Sequence, residues 1–294
     1  MKKRLLAAAA AVVILAGFIW SPLSNYPVSL AVMKVYSGIH ERDSIMAEKG
    51  IELHIPGGSA TKERDWYPFV MTFNDDEGFR RFTGEPDLKL TILYNFPAFD
   101  LRKGCSRLYD PASPYYNSFY GAYLVSPEDS VGNKGGSADA GGSPAPYGFL
   151  EDGRLDVEAT AQVPQFDFQK LVLRDFGIER DELIFDWEVS KSEQRVTYLG
   201  IDGWTRVDAK LTVNGTQHEA DGFRRSYLQY GPPEYTLSEV KAEDFAPVEM
   251  VGRLYGRYFE EWDTSIFFYV LASNRAVLKK CDQEILSQSR LQSA

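Results

Sequence analysis

The stretch VEMVGRLYGRYFEEW, Val248 to Trp262, followed by SIFFYVLA, Ser265 to Ala272, decides the reading of the fold. The first alternates in the manner of a strand with one buried face, whereas the second is apolar throughout and reads as a central strand. Working upstream, ELIFDWEV (Glu182–Val189), RVTYLGI (Arg195–Ile201) and RVDAKLTV (Arg206–Val213) are further β-branched and aromatic runs. The last meets Asn214-Gly215, a hairpin signal because a type I′ turn needs positive φ at both central positions. With Thr216 the same residues spell a glycosylation sequon, which the turn reading outranks. Earlier still, IELHI (Ile51–Ile55), WYPFVMTF (Trp66–Phe73) and LKLTILYNF (Leu88–Phe96) are strands, punctuated by Pro56-Gly57-Gly58 and the charged stretch Asn74 to Arg81.

Helices flank this sheet. Past Pro27, apolar residues at Val28, Val32, Val35, Tyr36, Ile39 and Met46 predict an amphipathic helix ending near Lys49-Gly50. Short helices are expected over Asp156–Val163 and Asp167–Phe176, and Ser273 or Asn274 caps a last one running to about Gln288. The fold class is therefore α+β, mainly antiparallel sheet with flanking helices. Between two strand-rich parts lies VGNKGGSADAGGSPAPYG, Val131 to Gly148, whose composition cannot make a core and which reads as a flexible insertion in one domain. The expected organisation is a cytoplasmic tip and anchor over 1–22, a juxtamembrane amphipathic helix over 23–50, and one globular domain over 51–294.

The anchor comes from the first residues. After MKKR, the run Leu5 to Trp20 holds sixteen uncharged residues, a helix about 24 Å long against a hydrocarbon core of roughly 30 Å. Phe18, Ile19 and Trp20 are the wrong sizes for a signal-peptidase site, so an uncleaved membrane-spanning or signal-anchor helix is preferred to a secreted, cleaved chain. Lys2, Lys3 and Arg4 keep that end in the cytoplasm and put the domain outside. Without those three cations the chain has 29 basic and 42 acidic residues, a charge of −13. Such a surface repels phosphate backbones, so nucleic acid is not an expected partner.

Outside the cytoplasm, Cys105 and Cys281 are a disulfide candidate. The competing reading buries Cys281 as a free thiol on an apolar helix face with Val277, Leu278 and Ile285.

Catalytic signatures are sparse. The three histidines, His40, His54 and His218, have no metal-ligand spacing, so no metal site is expected. There is no GxSxG, Walker loop or dinucleotide fingerprint, and no cofactor is nominated. Asp175-Phe176-Gly177 lacks the rest of a kinase and reads as a helix terminus. Carboxylate pairs Asp75/Asp76, Glu151/Asp152 and Glu260/Glu261 are adjacent in sequence, and neighbours on a strand face opposite ways. No catalytic residue is assigned.

One stretch invites a ligand: DPASPYYNSFYGAYLV, Asp110 to Val125. From Phe119 onward it is read as core, in a helix or a loop feeding a strand, and only Tyr115 and Tyr116 remain as a candidate binding edge for sugar or peptide. The expected function is a non-enzymatic, membrane-anchored extracytoplasmic accessory or binding protein, with an envelope glycan or protein as partner. The alternative is a membrane-tethered hydrolase that cuts an envelope polymer with two carboxylates.

Overall fold

Runs of β-branched and aromatic residues become strands, and the intervals marked by glycine, proline or charge become turns and short helices. The structure is a computed structural model that describes residues 2–19, 21, 25–56, 66–74, 77–85, 87–97, 99–100, 105–106, 118–127, 145–168, 184–214, 218–220, 223–225 and 247–294. In chain order its elements are α1 (Lys2–Ile19), α2 (Asn25–His40), α3 (Ile45–Lys49), β1 (Ile51–His54), β2 (Trp66–Thr72), α4 (Glu77–Thr83), β3 (Leu88–Pro97), β4 (Phe99–Asp100), β5 (Cys105–Ser106), β6 (Phe119–Pro127), α5 (Val157–Phe168), β7 (Phe185–Tyr198), β8 (Ile201–Val213), β9 (His218–Ala220), β10 (Phe223–Arg225), β11 (Val248–Phe259), β12 (Thr264–Ala272), α6 (Arg275–Lys280) and β13 (Arg290–Ser293).

Seven strands form one antiparallel sheet in the order β2-β3-β6-β12-β11-β8-β7. The apolar SIFFYVLA run is its central strand, paired with β6 on one side and β11 on the other. β12 and β6 are buried almost end to end because both faces of the sheet are covered. On one face Val70, Ala122, Leu124, Phe268 and Val270 pack under α3, the β1–β13 ribbon, α6 and the segment after it, through Ile45, Ile51, Leu278 and Ile285. On the other, Leu90, Ile92, Tyr123, Val125 and Phe267 pack under α4 and α5, through Phe79, Val163 and Phe166. Full burial of each such side chain stabilises by about 1.5–3 kcal/mol.

Close approach explains two glycines. A Cβ at Gly121 would collide with the carbonyl oxygen of Leu93 on the neighbouring strand, and one at Gly256 would come within 2.6 Å of Leu155 and 2.9 Å of Phe267. β6 and β11 can therefore accept their neighbours only with no side chain at these points.

The aromatic stretch resolves as a strand from Phe119, not a helix. Tyr123 stacks on Phe267 at 4.6 Å and donates its hydroxyl to the Thr160 carbonyl at 3.0 Å. Its helical spacing was a coincidence of aromatics that serve both faces of a doubly covered strand. The helix expected to run to Lys49 is broken instead. Ser44 is extended, its hydroxyl donating to the Glu41 carbonyl at 2.7 Å and accepting from the Ala47 amide at 3.2 Å, so it closes one turn and caps α3. The charged stretch Asn74–Arg81 is more than punctuation. It contains α4, whose Phe79 and Phe82 meet Phe166 with ring centres 5.2 and 5.8 Å apart.

Other expectations shift in detail. β7 runs unbroken through Ser190–Arg195 by means of bulges, with Arg195 at φ 57°. The turn to β8 is Leu199-Gly200, both at positive φ (54° and 74°), whereas Gly215 and Thr216 of the expected Asn214-Gly215 turn lie outside the described residues. The helix at Asp156–Val163 continues through Pro164 to Phe168, and most of the helix expected over 167–176 lies outside the described residues. So does most of the 131–148 insertion. Its end is packed, however: the Tyr147 hydroxyl donates to the Ala159 carbonyl at 2.7 Å, and Gly148 is pressed against Phe267.

α1 contains Lys2, Lys3 and Arg4, and Val12, Val13, Ile14, Leu15 and Phe18 on it are exposed. Among the described residues no helix is long and apolar enough to cross a membrane.

Candidate functional site: an arginine clamp beside an acidic groove

The outer strands β7, β8 and β11 turn a polar face toward α6. Their pairing sets Asp208 of β8 opposite Arg253 of β11, and Arg206 opposite Tyr255. Arg253 grips Asp208 with two parallel bonds, Nε to Oδ1 at 2.6 Å and Nη2 to Oδ2 at 2.9 Å. Its Nη1 reaches across to Asp282 Oδ2 at 2.7 Å. A planar guanidinium suits this double duty, because its donors point outward in a fixed fork.

Asp282 is placed by the C-terminal segment. Asn274 caps α6, its side-chain oxygen accepting from the Ala276 and Val277 amides at 3.0 Å. Beyond Lys280 the helix widens into a π-turn over Cys281–Ile285 that buries Cys281, Asp282 and Ile285. The Asp282 side chain is only 5% exposed. Besides Arg253 it accepts from the Tyr255 hydroxyl at 3.1 Å and, at 3.5 Å, from that of Tyr198. The two tyrosine rings stack in parallel, 3.8 Å apart. Outward, Arg206 bridges Glu193 at 2.7 Å and lies 3.6 Å from Asp208, and Lys191 pairs with Glu193 at 2.7 Å. Three carboxylates thus meet three cations.

The electrostatics follow from these contacts. Arg253 is held still more firmly in its charged form, chiefly by its bonds to Asp208 and then by Asp282, against the opposing effect of burial. Burial, and secondarily the negative charge of Asp282, pushes the Tyr255 hydroxyl up to about 12 and Tyr198 higher still. Both phenols stay protonated and can serve Asp282 as donors only. This is the chemistry of a clamp, which ties the segment after α6 to the sheet.

Next to the clamp on the same strands is a groove of about 490 Å³, whose lining includes Asp186, Glu188, Lys210, Thr212, Glu249 and Ser273. Strand pairing explains the grouping. Asp186, Thr212 and Glu249 lie in one row across β7, β8 and β11, and Glu188 with Lys210 in the next. Three carboxylates against one ammonium make it attractive to a cationic or amine-bearing group.

No family model matches the chain, and neither does any curated protein or solved structure.

Tyr115 and Tyr116 lie outside the described residues. Cys281 carries a free, buried thiol, pushed up to about 12 mainly by burial, while the side chain of Cys105 lies outside the described residues. Of the adjacent carboxylates, Asp152 is bound by Arg154 at 2.6 Å on an exposed turn, Glu260 and Glu261 are exposed in the β11–β12 turn, and Asp75/Asp76 lie outside the described residues. Among the described residues no group of three or more His, Cys, Asp or Glu is placed to hold a metal ion.

Two signals could have found the clamp. Leu278, Cys281, Asp282 and Ile285 follow the i, i+3, i+4, i+7 spacing of a buried stripe, with a carboxylate inside it. Arg253 sits at the parity of Val251 and Tyr255, where an apolar side chain is expected.

Proposed function

We propose that the chain is a non-enzymatic accessory or binding protein of the cell envelope. In this reading α1 anchors it in the membrane, the N-terminus is cytoplasmic, and the domain stands outside. The observation that carries the reading is α1 itself. It begins with three cations, has nothing but apolar and small residues beyond them, and its described side chains from residue 7 to 18 are exposed. A helix apolar on every face is stable only when something apolar surrounds it. Its uncharged part, Leu5 to Ile19, rises about 22 Å, and Trp20 and the flanking lysines can bridge the rest by interfacial placement and snorkelling. Secretion after cleavage is the competing outcome.

The groove beside the clamp is the proposed ligand surface, suited to the basic side of an envelope glycan or protein. The clamp beside it and the strand pairing through it keep its rows of side chains in register. One observation favours the alternative, a membrane-tethered hydrolase: Asp186, Glu188 and Glu249 share the groove.

Fractionation of cells producing the full chain tests the anchor. The chain is expected in the membrane fraction, resistant to salt and alkaline washing, with its first residues intact. An alkaline phosphatase fusion after Gln288 should be active. A soluble product beginning between Ser21 and Val32 refutes the anchor. Incubation with purified cell-wall polymer separates binding from cleavage: co-sedimentation that weakens in an Asp186→Asn/Glu188→Gln/Glu249→Gln variant supports binding. Release of reducing ends that the same variant abolishes would establish the hydrolase.

A further inference from the structure

We propose that the outward face of α2, around Val35 and Ile39, rests on the lipid surface, so that the sheet lies against the membrane along its β2 edge instead of standing off on a stalk. This rests on α1 being the anchor and adds where the domain sits relative to it.

The inner side of α2 is fixed to the sheet. The Val70 amide of β2 donates to Ser37 Oγ at 3.1 Å, and His40 Nδ1 lies 3.2 Å from Thr72 Oγ1, with the Tyr36 ring 4.3 Å from that of His40. α2 thereby covers the edge strand, which carries Pro68. Its opposite side has Ala31, Lys34, Gly38 and two large apolar residues in the open, Val35 at 66% and Ile39 at 60% exposure. An i, i+4 pair projects from one face.

Chain length decides what is near that face. α1 ends at Ile19 and α2 begins at Asn25, six residue steps that span at most about 22 Å even when fully extended. The sequence has no charged residue from Leu5 to Met33, and its first is Lys34, beside Val35. With α1 in the bilayer, α2 has to begin near the headgroups. At that boundary Val35 and Ile39 can sink to the acyl level while the Lys34 stem bends its ammonium to the phosphates. Glu41, Arg42 and Asp43 follow. With Lys34, the exposed charges of this segment balance, so the acidity of the domain as a whole does not repel it from anionic lipid.

The test uses the full chain with p-benzoylphenylalanine at single positions, Val35→p-benzoylphenylalanine and Ile39→p-benzoylphenylalanine, and exposed controls at Arg154 and Glu260. Each is reconstituted in vesicles of phosphatidylethanolamine and phosphatidylglycerol, floated on a gradient, irradiated and analysed for adduct mass. Phospholipid adducts several-fold more abundant at 35 and 39 than at the controls are expected. Chain-to-chain adducts at these positions would make the face a contact between copies and overturn the inference. So would a chain that floats yet forms no lipid adduct there, which leaves the anchor standing. A chain that does not float ends the anchor reading as well.

Discussion

Arg253→Met should be among the most damaging single changes available on this polar face. The substitution keeps much of the side-chain volume but leaves Asp282, 5% exposed, with no cation. Asp208 loses a two-pronged partner too, yet it is 21% exposed and keeps Arg206 at 3.6 Å, so its share of the loss is smaller. Breaking a buried pair by removing one partner costs about 3–5 kcal/mol, most of it from the charge left behind. Asp282→Asn removes the charge but keeps an acceptor for Tyr255 and Tyr198, and should cost roughly 1.5–3 kcal/mol. In the double variant Arg253→Met/Asp282→Asn the buried charge left behind by Arg253→Met is gone, so it should be more stable than Arg253→Met alone, with a coupling of about 2 kcal/mol or more. Equilibrium urea unfolding of the full chain in mild detergent reads all three, followed by tryptophan fluorescence, to which the buried Trp204, 5.7 Å from Tyr198, contributes. The single variant should lower the midpoint by about 1 M or more with an unchanged slope. The reasoning fails if Arg253→Met costs less than about 1 kcal/mol, or if the two single losses simply add in the double variant.

Stability should decline on the alkaline side in a way traceable to Cys281. Its folded pKa, about 12, lies above the ordinary value of 9.0, so between those pH values the unfolded chain binds fewer protons and stability falls as pH rises. Thermal melts across that window should show a shallower decline in Cys281→Ala, with the Tyr255 contribution remaining; an unchanged slope would count against burial of the thiol. In native buffer the Cys281 thiol should resist alkylation until denaturant is added. Two glycine substitutions should separate sterics from conformation: Gly121→Ala meets the Leu93 backbone and should cost about 3 kcal/mol, whereas Gly50→Ala, at φ 63° with open space around it, should cost about 1–2 kcal/mol. Arg195→Asn at the exposed β7 bulge, φ 57°, should raise stability by about 0.5–1 kcal/mol, read as a higher melting temperature.

Where hydrophobic pattern alone sets an element, the sequence was a sufficient guide. SIFFYVLA announced a central strand, and Ser273-Asn274 announced the start of a helix that Asn274 caps. What stayed hidden depends on partners distant in the chain. The β1–β13 ribbon joins Ile51 to Ser293, and nothing local to either tetrapeptide names the other. Leu199 at positive φ was unreadable because its hairpin is imposed by the long strands on either side, not by turn residues. The groove illustrates the same limit for function. Asp186, Glu188 and Glu249 are ordinary surface carboxylates in sequence, and only the register of β7 against β8 and of β8 against β11 lines them up. Of the adjacent pairs that sequence offered, Glu151/Asp152 and Glu260/Glu261 lie on exposed turns and not in the groove.

The distance spanned by that ribbon also orders the birth of the molecule. Gln292 reaches Glu52 across 240 positions, so a chain made from its N-terminus exposes β1 for as long as the rest takes to be synthesised. The same late segment brings Asp282 to an Arg253 that has been waiting without it. The β1–β13 ribbon and the Asp282 half of the clamp can therefore form only once the C-terminal segment is made, whereas α3, whose Ile45 amide donates to Thr91 Oγ1 of β3 at 3.0 Å, depends on nothing so late. Until then β1 is a strand without its neighbour, open to pairing with another chain.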